Sequence, residues 1–189
     1  MKTTPLLLLA PLACASIGFA QPAQQPASAN AWLQSQKSDT AHTYAYQRFT
    51  LAGKFLTPPH DQAANPPALA VDCIPGKGSH PKGKYLAANL LVGSTLKIIY
   101  VEPEEIRGTS YFPKVVVRYH ADDAKDKEEK WSAGADKTSV AIPKDSLKEL
   151  LRAHSVSVNM DDDHGSQVAI QFDMPDATLI EQSCNVDEH

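Results

Sequence analysis

The sequence predicts a mainly β domain, an antiparallel β-sandwich or barrel with one or two short helices. Three observations point there. Short alternating or β-branched runs recur from Tyr44 to Phe172, bounded by Gly, Pro, Asn or Asp. One of them, Lys114–His120 (KVVVRYH), sends Val115, Val117 and Tyr119 to one face and Val116, Arg118 and His120 to the other. Clear helical spacing interrupts this pattern at Pro143–Ala153.

The chain opens with an export address. Lys2 precedes an apolar stretch that begins at Leu6–Leu9 and runs to Phe19, and the small residues Gly18 and Ala20 precede a cleavage point before Gln21. Residues 1–20 read as a signal peptide, with an apolar part shorter than the ~20 residues of a membrane span. The mature chain is therefore expected to be periplasmic or secreted. A lipid anchor at Cys14 is not expected, because Pro11 stands where a lipoprotein signal carries Leu. Residues 21–40 read as a disordered linker: Gln21–Asn30 holds no charge and no aromatic ring, and only a short helical turn is expected at Ala31–Gln36. A single β-rich domain, residues 41–189, follows.

Within that domain Tyr44, Tyr46 and Arg48 alternate with Ala45 and Gln47, and Phe49, Leu51 and Phe55 continue the run. Pro58, Pro59, Pro66 and Pro67 bracket a loop. Ala68–Ile74 is a buried strand carrying Cys73. Tyr85–Val92 fits a strand or a helix. Leu96–Val101 is strand-like through its β-branched residues. Asp122–Lys130 reads as a solvated charge run in a turn or loop, with Trp131 and Thr138–Ile142 resuming the sheet. After Pro143, Ser146 and Glu149 have capping-box spacing, and Leu147, Leu150 and Leu151 share a helix face. Ser155–Met160, the turn Asp161–Gly165 and Gln167–Phe172 form a hairpin. Pro175–Gln182 closes the chain as a short helix or turn.

Once the leader is removed, Cys73 and Cys184 remain, and two cysteines in an oxidising compartment pair. The bond would close a loop of about 110 residues, for a chain-entropy gain on the order of 4–5 kcal/mol. Charge is uninformative beyond one exclusion. With 18 basic and 22 acidic residues and no basic stripe, the chain is no nucleic-acid binder.

No Gly-x-Ser-x-Gly elbow, His-Glu-x-x-His pair or phosphate-cradling Gly loop occurs, so no catalytic residue and no cofactor is assigned. A binding surface is open to Tyr44 and Tyr46 on one strand, or to Arg118 and His120 on another. Docked or solvated sheet faces are the plainer alternatives. Asp161, Asp163 and His164 in one turn offer metal-ligand chemistry, although the spacing matches no EF-hand and a water-solvated hairpin tip is the simpler expectation.

The order of a strand ending in Cys (VDC, 71–73), a Val-rich strand (VVVRY, 115–119), Trp-Ser (131–132), an apolar helix after Pro143, Phe-Asp (172–173) and a last Cys at 184 resembles that of the periplasmic accessory proteins of type VI secretion, the TagO/VasI type. Met174-Pro175 and Glu181-Gln182 depart from that pattern. The resemblance covers Ala68–Asn185 and implies a small envelope β-domain with a disulfide and no known reaction. The expectation is thus an exported envelope accessory or binding protein without catalytic activity, meeting an envelope protein or a cell-wall component and associated with a secretion apparatus. Two alternatives stand beside it. One is a hydrolase or metal-dependent enzyme of the envelope using His120 or His164. The other is an inhibitor or immunity-type partner making contact through the Lys77–Lys84 loop.

Overall fold

The computed structural model describes residues 31–39, 44–61, 65–75, 84–101 and 112–184. Residues 1–20, expected as a signal peptide and including Cys14, and the Gly-Lys loop before Lys84 lie outside them. Among the described residues no helix is long and apolar enough to cross a membrane.

Eleven strands in these residues form one antiparallel sheet, curled strongly into a half-barrel. They are β1 (Leu33–Asp39), β2 (Tyr44–Ala52), β3 (Lys54–Thr57), β4 (Ala68–Pro75), β5 (Lys84–Leu91), β6 (Ile99–Val101), β7 (Phe112–Ala121), β8 (Lys127–Ala133), β9 (Ser139–Ile142), β10 (Ser155–Asp161) and β11 (Gln167–Asp173). Two short helices accompany them, α1 (Lys144–Leu150) and α2 (Thr178–Cys184). The pairing order is β1-β2-β4-β5-β9-β8-β7-β10-β11-β3, and β6 pairs with β7 off this path.

The curl is visible in the chain itself. Only Gly53 separates β2 from β3, yet β2 pairs with β4 and β3 pairs with β11, near opposite ends of the order. The sheet therefore returns to its own start at Gly53. The Gly53 N–H donates to Pro67 O at 2.7 Å, and a Cβ added there would sit 2.6 Å from Phe172 Cε1. Only a residue without a side chain lets β11 approach so closely.

Alternation fills the interior. Phe49 and Leu51 of β2, Leu69, Val71 and Cys73 of β4, and Ala88 and Leu90 of β5 are buried. So are Val115, Val117 and Tyr119 of β7, Val156, Val158 and Met160 of β10, and Val168, Ile170 and Phe172 of β11. Each large apolar side chain so buried contributes about 1.5–3 kcal/mol before ordering costs. The helices add Leu147, Leu150 and Ile180, all buried. Cys184 at the end of α2 is bonded to Cys73 of β4, Cα to Cα 5.3 Å, and Lys84 Nζ donates to Ser183 O at 2.7 Å beside it.

Several elements differ from expectation. Leu33–Asp39 is a strand, where a linker and a helical turn are expected. Its sequence LQSQKSD has no apolar alternation to announce it; it is ordered by a ladder to β2 running from Leu33↔Thr50 to Asp39↔Tyr44. The ambiguous Tyr85–Val92 run is strand β5. The expected strand at Leu96–Val101 shortens to β6, because Leu96 N–H donates to Lys137 O and Lys97 N–H to Asp161 O, on two different neighbours. The charge run is half strand: the turn ends by Asp126, and β8 pairs with β7 from Tyr119↔Lys127 to Lys114↔Ser132. Ser146 is no helix cap. Pro143 occupies the N-cap without a side-chain bond, and the Ser146 hydroxyl donates to Glu129 instead. The hairpin is as expected, β10 on β11 from Ser155↔Asp173 to Asp161↔Gln167.

Candidate functional site

The interior offers no ligand chamber where Leu69, Leu90, Trp131, Ile142, Leu150, Val156, Val158 and Phe172 meet. The void there is about 10 Å³, at most the room of one water. Among the described residues, the polar groupings that follow lie on the surface and loops.

The four residues considered as a binding surface occupy two places. Tyr44 and Tyr46 are on β2; Arg118 and His120 are on β7, which is not a neighbour of β2 in the sheet. Tyr46 is half-buried, with the Arg48 guanidinium 5.8 Å from its ring centre. Arg48 in turn donates from Nε and Nη2 to the two oxygens of buried Asp72, 2.7 Å each, across the register pair of β2 and β4. On β7 both side chains already have partners: Arg118 Nε donates to Glu128 Oε2 at 2.8 Å, and His120 Nδ1 lies 2.8 Å from Asp126 Oδ1. That face is a solvated ladder of polar pairs, each worth little at such exposure.

Glu129, inside the charge run, turns inward. Its Oε1 accepts from the Tyr119 hydroxyl at 2.8 Å, and its Oε2 accepts from Trp131 Nε1 and the Ser146 hydroxyl at 2.7 Å each. Burial pushes the carboxyl up, but the three donors outweigh it and hold it below its ordinary value. This network fastens α1 to the sheet.

The loop constellation is built around another inward carboxylate. Val156, Val158 and Met160 of β10 face the core, and Asp162 continues that parity at the strand's end, 1 % exposed. Its Oδ1 accepts from the N–H groups of His164 (3.1 Å) and Ser166 (2.8 Å), the local pattern of an Asp-nucleated turn. Its Oδ2 accepts from the N–H of His60, 2.8 Å, in the loop after β3. Burial raises this carboxyl, and the three backbone donors, led by His60, more than offset that and leave it below the ordinary aspartate value. A buried charge so fully hydrogen-bonded is tolerated where an unpaired one is not.

One carboxylate thus positions two loops, and their side chains converge above it. His60 Nδ1 lies 3.4 Å from Asp61 Oδ1, and His164 Nε2 lies 3.4 Å from Asp61 Oδ2. The imidazole centres are 4.5 Å apart with planes tilted by 38°. The two histidines, first His60 and then His164, hold the Asp61 carboxyl below its ordinary value. Of the three turn residues considered as ligands, His164 belongs to this group. Asp163 Oδ1 stands 3.7 Å from His164 Nε2, and Asp161 is drawn away to Lys97 Nζ, 3.9 Å. His60 and Asp61 are invisible to a motif scan, because they come from a loop about a hundred residues earlier. The parity of β10, read one residue further, does single out Asp162 as the inward member of the Asp triplet.

No family model, no curated protein and no solved structure matches this chain.

Proposed function

We propose that this chain is an exported cell-envelope protein that acts by binding a partner on its outer surface, without catalytic turnover of its own. The observation that supports the reading is the filled interior, where the void of about 10 Å³ is too small to hold a ligand and favours recognition on the outside of the half-barrel. The Cys73–Cys184 bond supports it, since such bonds persist outside the cytoplasm. The leader-like residues 1–20 agree with that compartment. The partner class is an envelope protein or cell-wall component, and the resemblance to type VI secretion accessory proteins makes a secretion apparatus the first place to look.

The test has two arms. The full chain, leader included, is expressed in a bacterial host and fractionated; the processed, disulfide-bonded form is expected in the periplasm or medium. The purified protein is then used to capture envelope material, alongside Tyr46→Ala and Arg118→Ala/His120→Ala. Capture lost in one of these variants, at unchanged thermal stability, supports surface recognition and names the face. Retention in the cytoplasm, or hydrolysis of ester, peptide or glycan substrates abolished by His120→Ala or His164→Ala, overturns the reading.

A further inference from the structure

We propose that His60, Asp61 and His164 form a binding site for a divalent transition-metal ion of the zinc class. The ligand atoms of these three side chains all lie within 4.8 Å of one another. Both imidazole-to-carboxylate distances are 3.4 Å. Four ligands at bond lengths of about 2.0–2.1 Å around a tetrahedral zinc stand about 3.3–3.4 Å apart. Each histidine has that spacing to its own oxygen of the Asp61 carboxylate, and small rotations of these exposed side chains would bring one nitrogen from each ring and one carboxylate oxygen around a single ion.

The donor set selects the ion. Two imidazole nitrogens and one carboxylate oxygen suit Zn²⁺ and its neighbours, and they are a poor match for Ca²⁺ or Mg²⁺, which take oxygen cages. Asp163 Oδ1 lies 3.7 Å from His164 Nε2 but outside the three-residue group, so water would complete the coordination.

What separates this cluster from ordinary surface pairs is the support beneath it. The backbone N–H groups of His60 and His164 are bonded to the same buried carboxylate, Asp162. The main chain of both histidines is therefore anchored to one carboxylate before any ion arrives, which keeps the two loops side by side. Elsewhere on the surface His120 pairs with Asp126 and His154 with Asp122, each a lone imidazole with one carboxylate. Those pairs lack the three converging ligands of the cluster. Bound metal would fasten the loop after β3 to the β10–β11 turn. The side chains are 62 %, 70 % and 49 % exposed for His60, Asp61 and His164, so the ion would exchange freely with solvent.

The experiment is isothermal titration of the untagged, processed protein with ZnCl₂ and separately with CaCl₂, on the wild type and on His60→Ala, His164→Ala, Asp61→Asn and His120→Ala. Circular dichroism checks that each variant keeps the wild-type fold. The expected result is one Zn²⁺ per chain and no heat with Ca²⁺. Affinity should fall at least about tenfold in both His60→Ala and His164→Ala and stay unchanged in His120→Ala. No Zn²⁺ heat, or Zn²⁺ binding that survives either His60→Ala or His164→Ala at full strength, overturns the site. Neither outcome touches the envelope reading, which rests on export and surface capture.

Discussion

Replacing Glu129 with alanine removes one carboxylate and leaves three donors without their acceptor. Trp131, Tyr119 and Ser146 are 0 %, 1 % and 4 % exposed, so water can reach them only through the space the glutamate leaves. A hydrogen bond to a charged group contributes about 1.5–3 kcal/mol, and a buried donor left unmatched costs about 1–3 kcal/mol. The serine hydroxyl can rotate toward another acceptor, but the indole N–H is fixed by a ring that packs 5.4 Å from the Tyr119 ring. Counting the indole and phenol donors alone, Glu129→Ala is expected to lose about 3–5 kcal/mol. Glu129→Gln is the control. Its amide oxygen can serve the Trp131 and Ser146 donors, and its NH₂ group can face a Tyr119 hydroxyl that turns its proton away, so the loss should be about 1 kcal/mol. Urea unfolding followed by tryptophan fluorescence reads both. An alanine variant within about 1 kcal/mol of wild type, or one indistinguishable from the glutamine variant, would refute the network as a structural clamp.

Gly53→Ala should destabilise by about 1–3 kcal/mol, because its new Cβ meets the buried Phe172 ring; thermal melts should show partial recovery when Phe172→Leu is added. Arg48→Met strands the Asp72 carboxylate, 4 % exposed, and should cost about 2–3 kcal/mol after allowing for the partial exposure of Arg48; Arg48→Met/Asp72→Asn should regain most of it in urea titrations. Acid should weaken the fold in a defined window. Asp162 and Glu129 have folded-state values below their ordinary ones, so their contribution is complete above the unfolded range of about 3.9–4.3 and is lost as pH falls through the lower folded values. The urea midpoint should be flat above about pH 5 and drop below about pH 4, less steeply in Asp162→Asn; an equal drop in that variant counts against the role of Asp162.

The strands that bury one face were legible because alternation is a consequence of the pleat. Val115, Val117 and Tyr119, and the β10–β11 hairpin, needed no further information. What escaped notice has no such signature. Leu33–Asp39 is ordered by main-chain bonds to β2, to which its polar side chains contribute no pattern. Glu129 sits among exposed charges and differs from Glu128 and Lys130 only in pointing, by parity with Trp131, to the other face. Ser146 has the spacing of a cap, but Pro143 starts the helix earlier and frees its hydroxyl for Glu129. The curl of the sheet into a half-barrel depends on Gly53 and Phe172, two residues whose close approach becomes visible only in three dimensions. The loop site was half legible. His164 was in view, while His60 and Asp61 are brought to it by a buried aspartate whose partners are set by the fold.

The most direct test of the proposed export and of the disulfide that locks this half-barrel is the state of its two sulfurs in protein isolated without reductant. Mass spectrometry of a non-reduced digest should find the peptides of Cys73 and Cys184 joined. Reduction should lower stability by about 4–5 kcal/mol, the chain-entropy value for a link whose cysteines are 111 positions apart. Free thiols at both positions in native material, or a reduced form as stable as the oxidised one, would contradict the account.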